Sequence, residues 1–385
     1  MYDELYSSLD PTLMPEILLD IEQAWSDARA AGNFMYVPKA STFLAILQNT
    51  TADLPELKQR YRTPEVEIYW AEACNGTADF RTGTWLKGVP CDFSGWIVGT
   101  NKQKLSVSSI ADTAFAVPLE VYNNRVTPEE LFKKAFMRAT KLVIEKWNAH
   151  AVAKLLTFAG YNNYQIGLGT DGGIGPTSWK ITDIPYRNLV PNTLNAYVAM
   201  LGRMNNFTAT ELITGGALEV SEYVPGYLEK FKFGNLNVWS DVETFLGLGL
   251  TYEMFAMAKG AVAFVNTFNH PIGGASFPPI GENREIYYSV PLPSVYNVNG
   301  QPIMLDVTRR RIKRNIAQER FPEYNTDNRC EWYDEYNIEL KGEILLNPLS
   351  CSDTSTGVIR LHADTEAAPV LSPTTIQQYY DISTL

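Results

Sequence analysis

The side chains that could carry acid–base or nucleophilic chemistry are few and widely spaced in this chain. Its 385 residues include three histidines, His150, His270 and His362. No zinc-protease, serine-hydrolase or phosphate-loop motif brings a histidine near a nucleophile or a second ligand. His150 falls within a helical pattern, where a histidine more often has a structural role, and the other two lie in a loop and near the C-terminus. The sequence therefore predicts no catalytic site.

The cysteines show neither metal-ligand spacing nor a disulfide pattern. They are Cys74, Cys91, Cys330 and Cys351. None belongs to a Cys-x-x-Cys pair, so neither a zinc ribbon nor a disulfide-stapled fold is predicted. We expect no metal, no cofactor and synthesis in a reducing cytoplasm.

Two weaker patterns have ordinary structural interpretations. The glycines of residues 167–172 have the spacing of the dinucleotide fingerprint, which requires a strand before it and a helix starting inside it. Here a long helical pattern precedes the glycines and Pro176 follows them, so a loop is the better interpretation. Glu65 and Glu67 alternate along a strand pattern, where carboxylates are usually solvated. A glycosidase with an unrecognised carboxylate pair is an alternative that residue types alone leave open.

Composition excludes several classes of protein. The net charge of −11 argues against nucleic-acid binding by the chain as a whole. The hydrophobic content of 45% and the aromatic content of 12% exclude a disordered chain. No apolar run is long enough to span a membrane, and the N-terminal residues lack the apolar core of a signal peptide. We expect a folded chain of two or three domains from which no leader is removed.

One dense group of cations, here called the basic cluster, interrupts this acidic chain. It consists of Arg309, Arg310, Arg311, Lys313 and Arg314. Acidic residues follow it at Glu331, Asp334, Glu335 and Glu339. A solvated surface strip, ion pairing between subunits and a nucleic-acid contact are the three interpretations, and the acidic whole makes the last the weakest. Because arginine forks pair with carboxylates in a bidentate way, we predict that at least two of these cations reach a neighbouring subunit.

The element that organises the chain is a long helix predicted over residues 127–159. Thr127 is a suitable N-cap, Pro128 fits the first helical position, and Glu130 completes a capping box. Gly160 is expected to end the helix. Apolar residues fall on two adjoining stripes, Leu131–Ala135–Leu142 and Phe132–Phe136–Ala139–Val143–Trp147. At about 45 Å the helix exceeds what one compact core needs, although an ordinary long amphipathic helix is the alternative.

Residues 63–122 show no helical pattern and have few large aliphatic residues. Val66, Ile68 and Trp70 alternate with polar residues, Gly-rich segments follow, and a second extended run ends near residue 122. Such a segment cannot build a core of its own, so a long two-stranded excursion is predicted, with a small irregular β-subdomain as the alternative. Its tryptophans need cover from elsewhere, and we predict that at least one of three packs on an adjacent subunit. They are Trp70, Trp85 and Trp96.

The remaining segments alternate between helical and strand patterns. Two helices are predicted in the N-terminal region, over residues 15–31 and 41–48. A mixed α/β region follows the long helix, with a helix over 191–206 and a second, short helix over 218–231. Its strands are predicted over residues 209–216, 236–239, 260–266 and 285–292. A last clear strand is predicted over 337–347.

This order of elements resembles the major capsid proteins of tailed bacteriophages, which have the Hong Kong 97-type fold. The resemblance rests on the apolar arm, the two-stranded excursion, the helix opening with TPEELFKKAF and the late strand NIELKGEILLNP. It implies an α+β fold with a peripheral (P) domain, an axial (A) domain and an extended hairpin, the E-loop. The implied divisions are an N-terminal arm (1–62), the E-loop (63–122), the P-domain (123–184, with its spine helix 127–159), the A-domain (185–302) and a return to the P-domain with the C-terminal tail (303–385).

The resemblance also implies a function. Such subunits assemble as pentamers and hexamers into the icosahedral head of the virion, enclosing double-stranded DNA without sequence-specific binding. It implies no enzyme activity and no membrane contact, but a separate scaffolding protein, a portal and decoration proteins as partners, with synthesis in the bacterial host cytoplasm. An encapsulin-type nanocompartment shell is the first alternative, and an unrelated soluble enzyme such as a glycosidase is the second.

Overall fold

Helices and strands both contribute large parts of the fold. The computed structural model describes residues 14–30, 37–50, 65–72, 99–106, 108–118, 128–160, 162–164, 176–179, 181–185, 189–205, 207–216, 230–270, 285–298, 300–315, 330–346 and 356–364. Within them the helices are α1 (Met14–Ala30), α2 (Ser41–Asn49), α3 (Pro128–Phe158), α4 (Pro191–Met204) and α5 (Val242–Gly247). The mixture of helices and largely antiparallel sheets confirms the α+β class.

The strands form two large and two small sheets in the described part of the chain. In chain order they are β1 (Glu65–Glu72), β2 (Gly99–Ser106), β3 (Ser109–Pro118), β4 (Asn162–Tyr164), β5 (Pro176–Trp179), β6 (Ile181–Pro185), β7 (Ala209–Thr214), β8 (Lys230–Phe233), β9 (Leu236–Ser240), β10 (Glu253–Ala258), β11 (Val262–Thr267), β12 (Glu285–Pro291), β13 (Met304–Asn315), β14 (Cys330–Leu346) and β15 (Val358–Asp364).

The first large sheet has six strands in the order β6-β15-β10-β7-β9-β8. Alternate residues of its strands face opposite ways, so Leu212 packs in the cluster that covers α4 while Ile213 faces the cluster around α2 and α3. The helix predicted over 191–206 is α4. Four strands predicted in the same region appear at nearly their predicted bounds: β7 and β9 lie in this sheet, and β11 and β12 lie in the second large sheet. The helix predicted over 218–231 lies outside the described residues except for its last two, where β8 begins.

The second large sheet is built around β14, the longest strand described. It has the order β11-β14-β13-β12, and β3 pairs with the other edge of β14. One face of β14, with Tyr336, Ile338 and Leu340 buried, packs on α3. The indole Nε1 of Trp147 donates a hydrogen bond to the carbonyl oxygen of Leu340 at 3.0 Å. The helix and the sheet therefore share one apolar layer.

The 31-residue helix α3 has nearly the predicted bounds. Of its two apolar stripes, the one containing Phe132 and Trp147 is buried, whereas Leu142 of the other stripe is exposed. Thr127, the predicted N-cap, lies outside the described residues. The helix ends at Phe158, just before Gly160 as predicted, but the φ of this glycine is not positive, so it is not a left-handed cap. Its N–H instead donates to the carbonyl oxygen of Val358 at 3.1 Å, which ties the end of α3 to β15.

Helix α2 lies between the two large sheets, and every residue in it except Gln48 is buried. A buried polar node joins it to α3 and to the start of α5. The carboxylate of Asp241 accepts hydrogen bonds from the hydroxyl of Thr42 and from Nδ2 of Asn148, the latter at 2.7 Å. Three elements far apart in sequence are thus held in one orientation.

Candidate interaction surfaces

One of the two small sheets, formed by β1 and β2, pairs with neither large sheet. Strands β1 and β2 are antiparallel over eight residue pairs, from Glu65 opposite Ser106 to Glu72 opposite Gly99. The chain then enters β3, which belongs to the second large sheet through its pairing with β14. Of the predicted excursion, the described part that stands apart from both large sheets is therefore β1 with β2.

The three tryptophans predicted to contact a neighbour are not placed together by the described residues. Trp70 lies in β1 with Asn101 opposite it, but its side chain lies outside the description. Trp85 and Trp96 fall outside the described residues altogether. Their contact with an adjacent subunit stays a prediction.

The basic cluster lies on β13, directly beside the acidic residues of β14. The antiparallel register sets Arg310 opposite Glu335 and Arg311 opposite Asp334. Nε of Arg310 is 2.7 Å from a carboxylate oxygen of Glu335, and Nε of Arg311 is 2.9 Å from one of Asp334. Arg309 donates from Nη2 to the same Asp334 carboxylate. The first three arginines therefore have carboxylate partners within their own chain.

Burial divides these pairs into an inner and an outer set. The Asp334 side chain is 0% exposed and Arg309 is buried beside it, which does not fit a solvated surface strip. Burial acts to lower the pKa of the Arg309 guanidinium, but the Asp334 carboxylate raises it, and the net direction is upward. Burial also raises the pKa of Tyr336, against the opposing charge of Arg309, so its hydroxyl stays neutral. The inner set is a structural ion pair.

The outer set consists of cations that retain exposed surface. The side chain of Arg310 is 54% exposed despite its pair with Glu335. Nζ of Lys313 lies 5.7 Å from the ring centroid of the partly exposed Trp332. The side chain of Arg314 lies outside the description. Pairing of the basic cluster across a subunit boundary stays a prediction, and Arg310 and Lys313 are the described residues with surface available for it.

Sequence reasoning missed a group of exposed apolar side chains. Leu246 lies in the last turn of α5 and is 62% exposed, and the exposed Leu248 and Tyr252 follow just after the helix. On β3, Ile110 is 56% exposed. The sequence signal at the first site is the alternation of leucine and glycine over residues 246–250, which is typical neither of a helix nor of a strand. Exposed apolar side chains that lie together are typical of contact surfaces, and the group around Leu246 is the candidate here.

A carboxylate-centred cluster joins α3 to β14. Glu343 accepts a hydrogen bond from Ser109 at 2.8 Å, lies 2.6 Å from Nζ of Lys154 and lies 3.9 Å from Nε2 of His150. Burial, followed by the charge of Lys154, lowers the pKa of His150. Burial works to raise the pKa of Glu343, but the bonds from Lys154 and Ser109 bring it below its usual value. A serine nucleophile would have to donate its hydroxyl proton to the histidine, but Ser109 donates to the Glu343 carboxylate. We therefore interpret the cluster as structural.

A second buried carboxylate links β10 to β15. Glu253 receives two hydrogen bonds from Arg360, each of 2.8 Å, and lies 3.2 Å from Nδ1 of His362. Among the described residues no group of three His, Cys, Asp or Glu side chains is close enough to hold a metal ion.

The glycines of residues 167–172, which have the spacing of the dinucleotide fingerprint, lie outside the described residues. No helix in the described part is long and apolar enough to cross a membrane.

Comparison with known proteins gives matches in structure and none in sequence. No protein-family model matches the chain, and no curated protein matches it. Similar solved structures include one from Mycobacterium phage Adephagia (12% identity, TM-score 0.42, covering 85% of this chain and 91% of that one). Another is the capsid asymmetric unit of cyanophage A-1(L) (11%, 0.40, 86% and 94%). A third is a virus-like particle from Pyrococcus furiosus (9%, 0.35, 84% and 97%). TM-scores below 0.5 do not establish a common fold, so the function has to be inferred from this chain's own geometry.

Proposed function

We propose that this chain is the structural subunit of a phage head, the major capsid protein that assembles as pentamers and hexamers around double-stranded DNA. The observation that carries the proposal is the separate sheet of β1 and β2. A two-stranded antiparallel sheet is marginally stable in water unless another element covers it. Here eight residue pairs form outside both large sheets. In this proposal a neighbouring copy of the same chain covers the sheet.

The exposed apolar side chains support the same conclusion. Leu246 and Leu248 lie in and just after α5, whereas Ile110 lies on β3, which pairs with β14 in the second large sheet. A closed ring of identical subunits uses two different surfaces of each copy, because its contacts are heterologous. Several separate apolar sites on one chain fit such a ring better than a two-fold dimer, which needs a single self-complementary patch.

The finer organisation belongs to this proposal as well. In it, α3 and the sheet around β14 form the P-domain of a Hong Kong 97-type fold, the six-stranded sheet with α4 forms the A-domain, and β1 with β2 forms the E-loop. The sequence divisions at residues 62, 122, 184 and 302 do not coincide with these units, since β11 and β12 of the P-domain sheet fall within 185–302 and β15 of the A-domain sheet falls within 303–385. A separate scaffolding protein, a portal, decoration proteins and synthesis in the host cytoplasm complete it. The subunit itself performs no catalysis.

The test is expression of the full chain, alone and together with the products of its neighbouring genes. We expect rings, sheets or closed icosahedral particles in negative-stain electron micrographs. Light scattering coupled to size-exclusion chromatography gives the mass of what forms. A monodisperse monomer at high protein concentration, with the β1–β2 segment protected from proteolysis, would contradict the proposal.

The content of the particles separates the proposed function from its nearest rival. A nanocompartment shell has the same need for neighbouring copies but encloses protein cargo. Particles purified from infected cells are expected to contain nuclease-protected double-stranded DNA. Particles that hold enzyme cargo and no DNA would favour the nanocompartment instead.

A further inference from the structure

We infer that the exposed face of α3 is a contact surface for the phosphate backbone of double-stranded DNA. The surface, here called the basic stripe, consists of Lys134, Arg138 and Lys146. All three are exposed, at spacings of four and eight residues along one face of the helix. From Lys134 to Lys146 the stripe is about 18 Å long. The inference rests on the proposed function, in which one face of the shell meets packaged DNA.

The cations of α3 divide into two groups by their partners. Lys133 pairs with Asp20 at 2.7 Å, Lys141 with Glu145 at 3.6 Å and Lys154 with Glu343 at 2.6 Å. Within the residues that the structure describes, no carboxylate lies within salt-bridge distance of a basic-stripe cation. Half of the six cations of this helix are therefore neutralised by the chain, and the other half face outward.

The net charge of −11 does not prevent a local contact of this kind. At physiological salt, charges more than about 8 Å apart are largely screened, so a ligand on the helix responds mainly to the charges next to it. The exposed Glu130, one turn before Lys134, is the nearest acidic group at the N-terminal end of the stripe. Glu145, next to Lys146 in sequence, is already paired with Lys141. We therefore expect a positive local field over the stripe.

Double-stranded DNA fits this surface better than an acidic protein segment does. A rigid helix holds the three cations at fixed spacings along a polyanion, and about 18 Å of duplex carries roughly ten phosphates. The planar guanidinium of Arg138 suits bidentate binding of a phosphate. Three contacts per subunit make only a weak bond, but the enclosed genome is held against the shell at high local concentration. A weak bond also leaves the DNA free to move during packaging and ejection.

The test measures binding of the full-length chain to a fluorescein-labelled, mixed-sequence duplex of about two helical turns by anisotropy. Salt is varied from about 50 to 200 mM. The variant Lys134→Gln/Arg138→Gln/Lys146→Gln removes the stripe. The matched control, Arg203→Gln/Lys232→Gln/Lys259→Gln, removes the same charge from exposed cations on other elements.

We expect the stripe variant to lose roughly tenfold or more in affinity at low salt, and the salt slope to fall by about 2–3 in magnitude. The control should change the slope by less than about 1. If both triple variants lost the same duplex affinity, the loss would come from the change in net charge alone, and the inference would be overturned. Absence of duplex binding by the unmodified chain would overturn it too, as would tighter binding of poly-glutamate, which identifies an acidic protein as the partner.

Particle formation by the same variants is measured as a second, independent readout, so that failure of this inference can be told apart from failure of the proposed function. Particles that form normally while both triple variants bind the duplex equally would overturn the stripe and leave the capsid role intact. Duplex binding that depends on the stripe in a chain that never assembles would support the phosphate contact and contradict the capsid role.

Discussion

The basic cluster on β13 and the basic stripe on α3 have similar side chains but different surroundings. In the basic cluster, Arg309, Arg310 and Arg311 each have a carboxylate of β14 within hydrogen-bonding distance. In the basic stripe no carboxylate of the described residues reaches Lys134, Arg138 or Lys146. The denser group is the one in which three cations have carboxylate partners in their own chain. Density along the sequence is therefore a poor guide to which cations are available to a partner.

The difference comes from what lies beside each element. An antiparallel neighbour brings its residues opposite one another at about 5 Å, so an acidic strand neutralises a basic one residue by residue. A helix face turned away from every neighbour meets only solvent or another molecule. Substitutions in the two groups should therefore differ in their effect on stability, and the largest effect is expected at the buried part of the basic cluster.

Removal of the buried carboxylate tests the inner set of the basic cluster. We expect Asp334→Ala to lower the free energy of unfolding by about 3–5 kcal/mol, because Arg309 stays buried without its counter-charge. Urea denaturation followed by circular dichroism measures the change. Asp112→Ala, which removes an exposed carboxylate from β3, is the control and should change the free energy by less than about 0.5 kcal/mol. A loss below about 1 kcal/mol for Asp334→Ala would mean that the cluster is no more structural than the stripe.

Removal of the outer cations tests whether the basic cluster also reaches a neighbour. Arg310→Gln/Lys313→Gln should lower the free energy of unfolding by only about 1 kcal/mol, since one half-exposed ion pair and one cation–π contact are lost. We expect particle yield at physiological salt to fall well beyond what that loss explains. The matched control is Arg203→Gln/Lys259→Gln. Normal particles from the first variant would contradict pairing of these cations across a subunit boundary.

The smallest expected effect is on the stability of the stripe variant. Lys134→Gln/Arg138→Gln/Lys146→Gln should change the free energy of unfolding by no more than about 0.5 kcal/mol, because exposed cations with no carboxylate partner among the described residues contribute little to folding. Thermal and urea unfolding of the isolated chain measure this change. A loss above about 1.5 kcal/mol would show that the stripe has partners within the chain, and the contrast with the basic cluster would no longer hold.

Much of the fold could be predicted from local patterns, and the interaction surfaces much less so. The predicted bounds of α3 are close to Pro128–Phe158, and the strand predicted over residues 337–347 is the second half of β14. The acidic residues after the basic cluster were visible in the sequence, but their pairing with it on the adjacent strand was not. The exposed Leu246 and Leu248 were missed because a leucine–glycine alternation has no strong local signature.

The sequence by itself determined several helices and strands, among them α3, α4 and the second half of β14, because apolar periodicity acts over a few neighbouring residues. Only the tertiary structure decided which stripe of α3 is buried, which carboxylate each arginine meets, and why Gly342 interrupts the apolar face of β14. A Cβ at Gly342 would lie 2.6 Å from the carbonyl oxygen of Val265 and would also collide with the ring of Phe264. These outcomes depend on the register and approach of segments far apart in the chain, which no local pattern records.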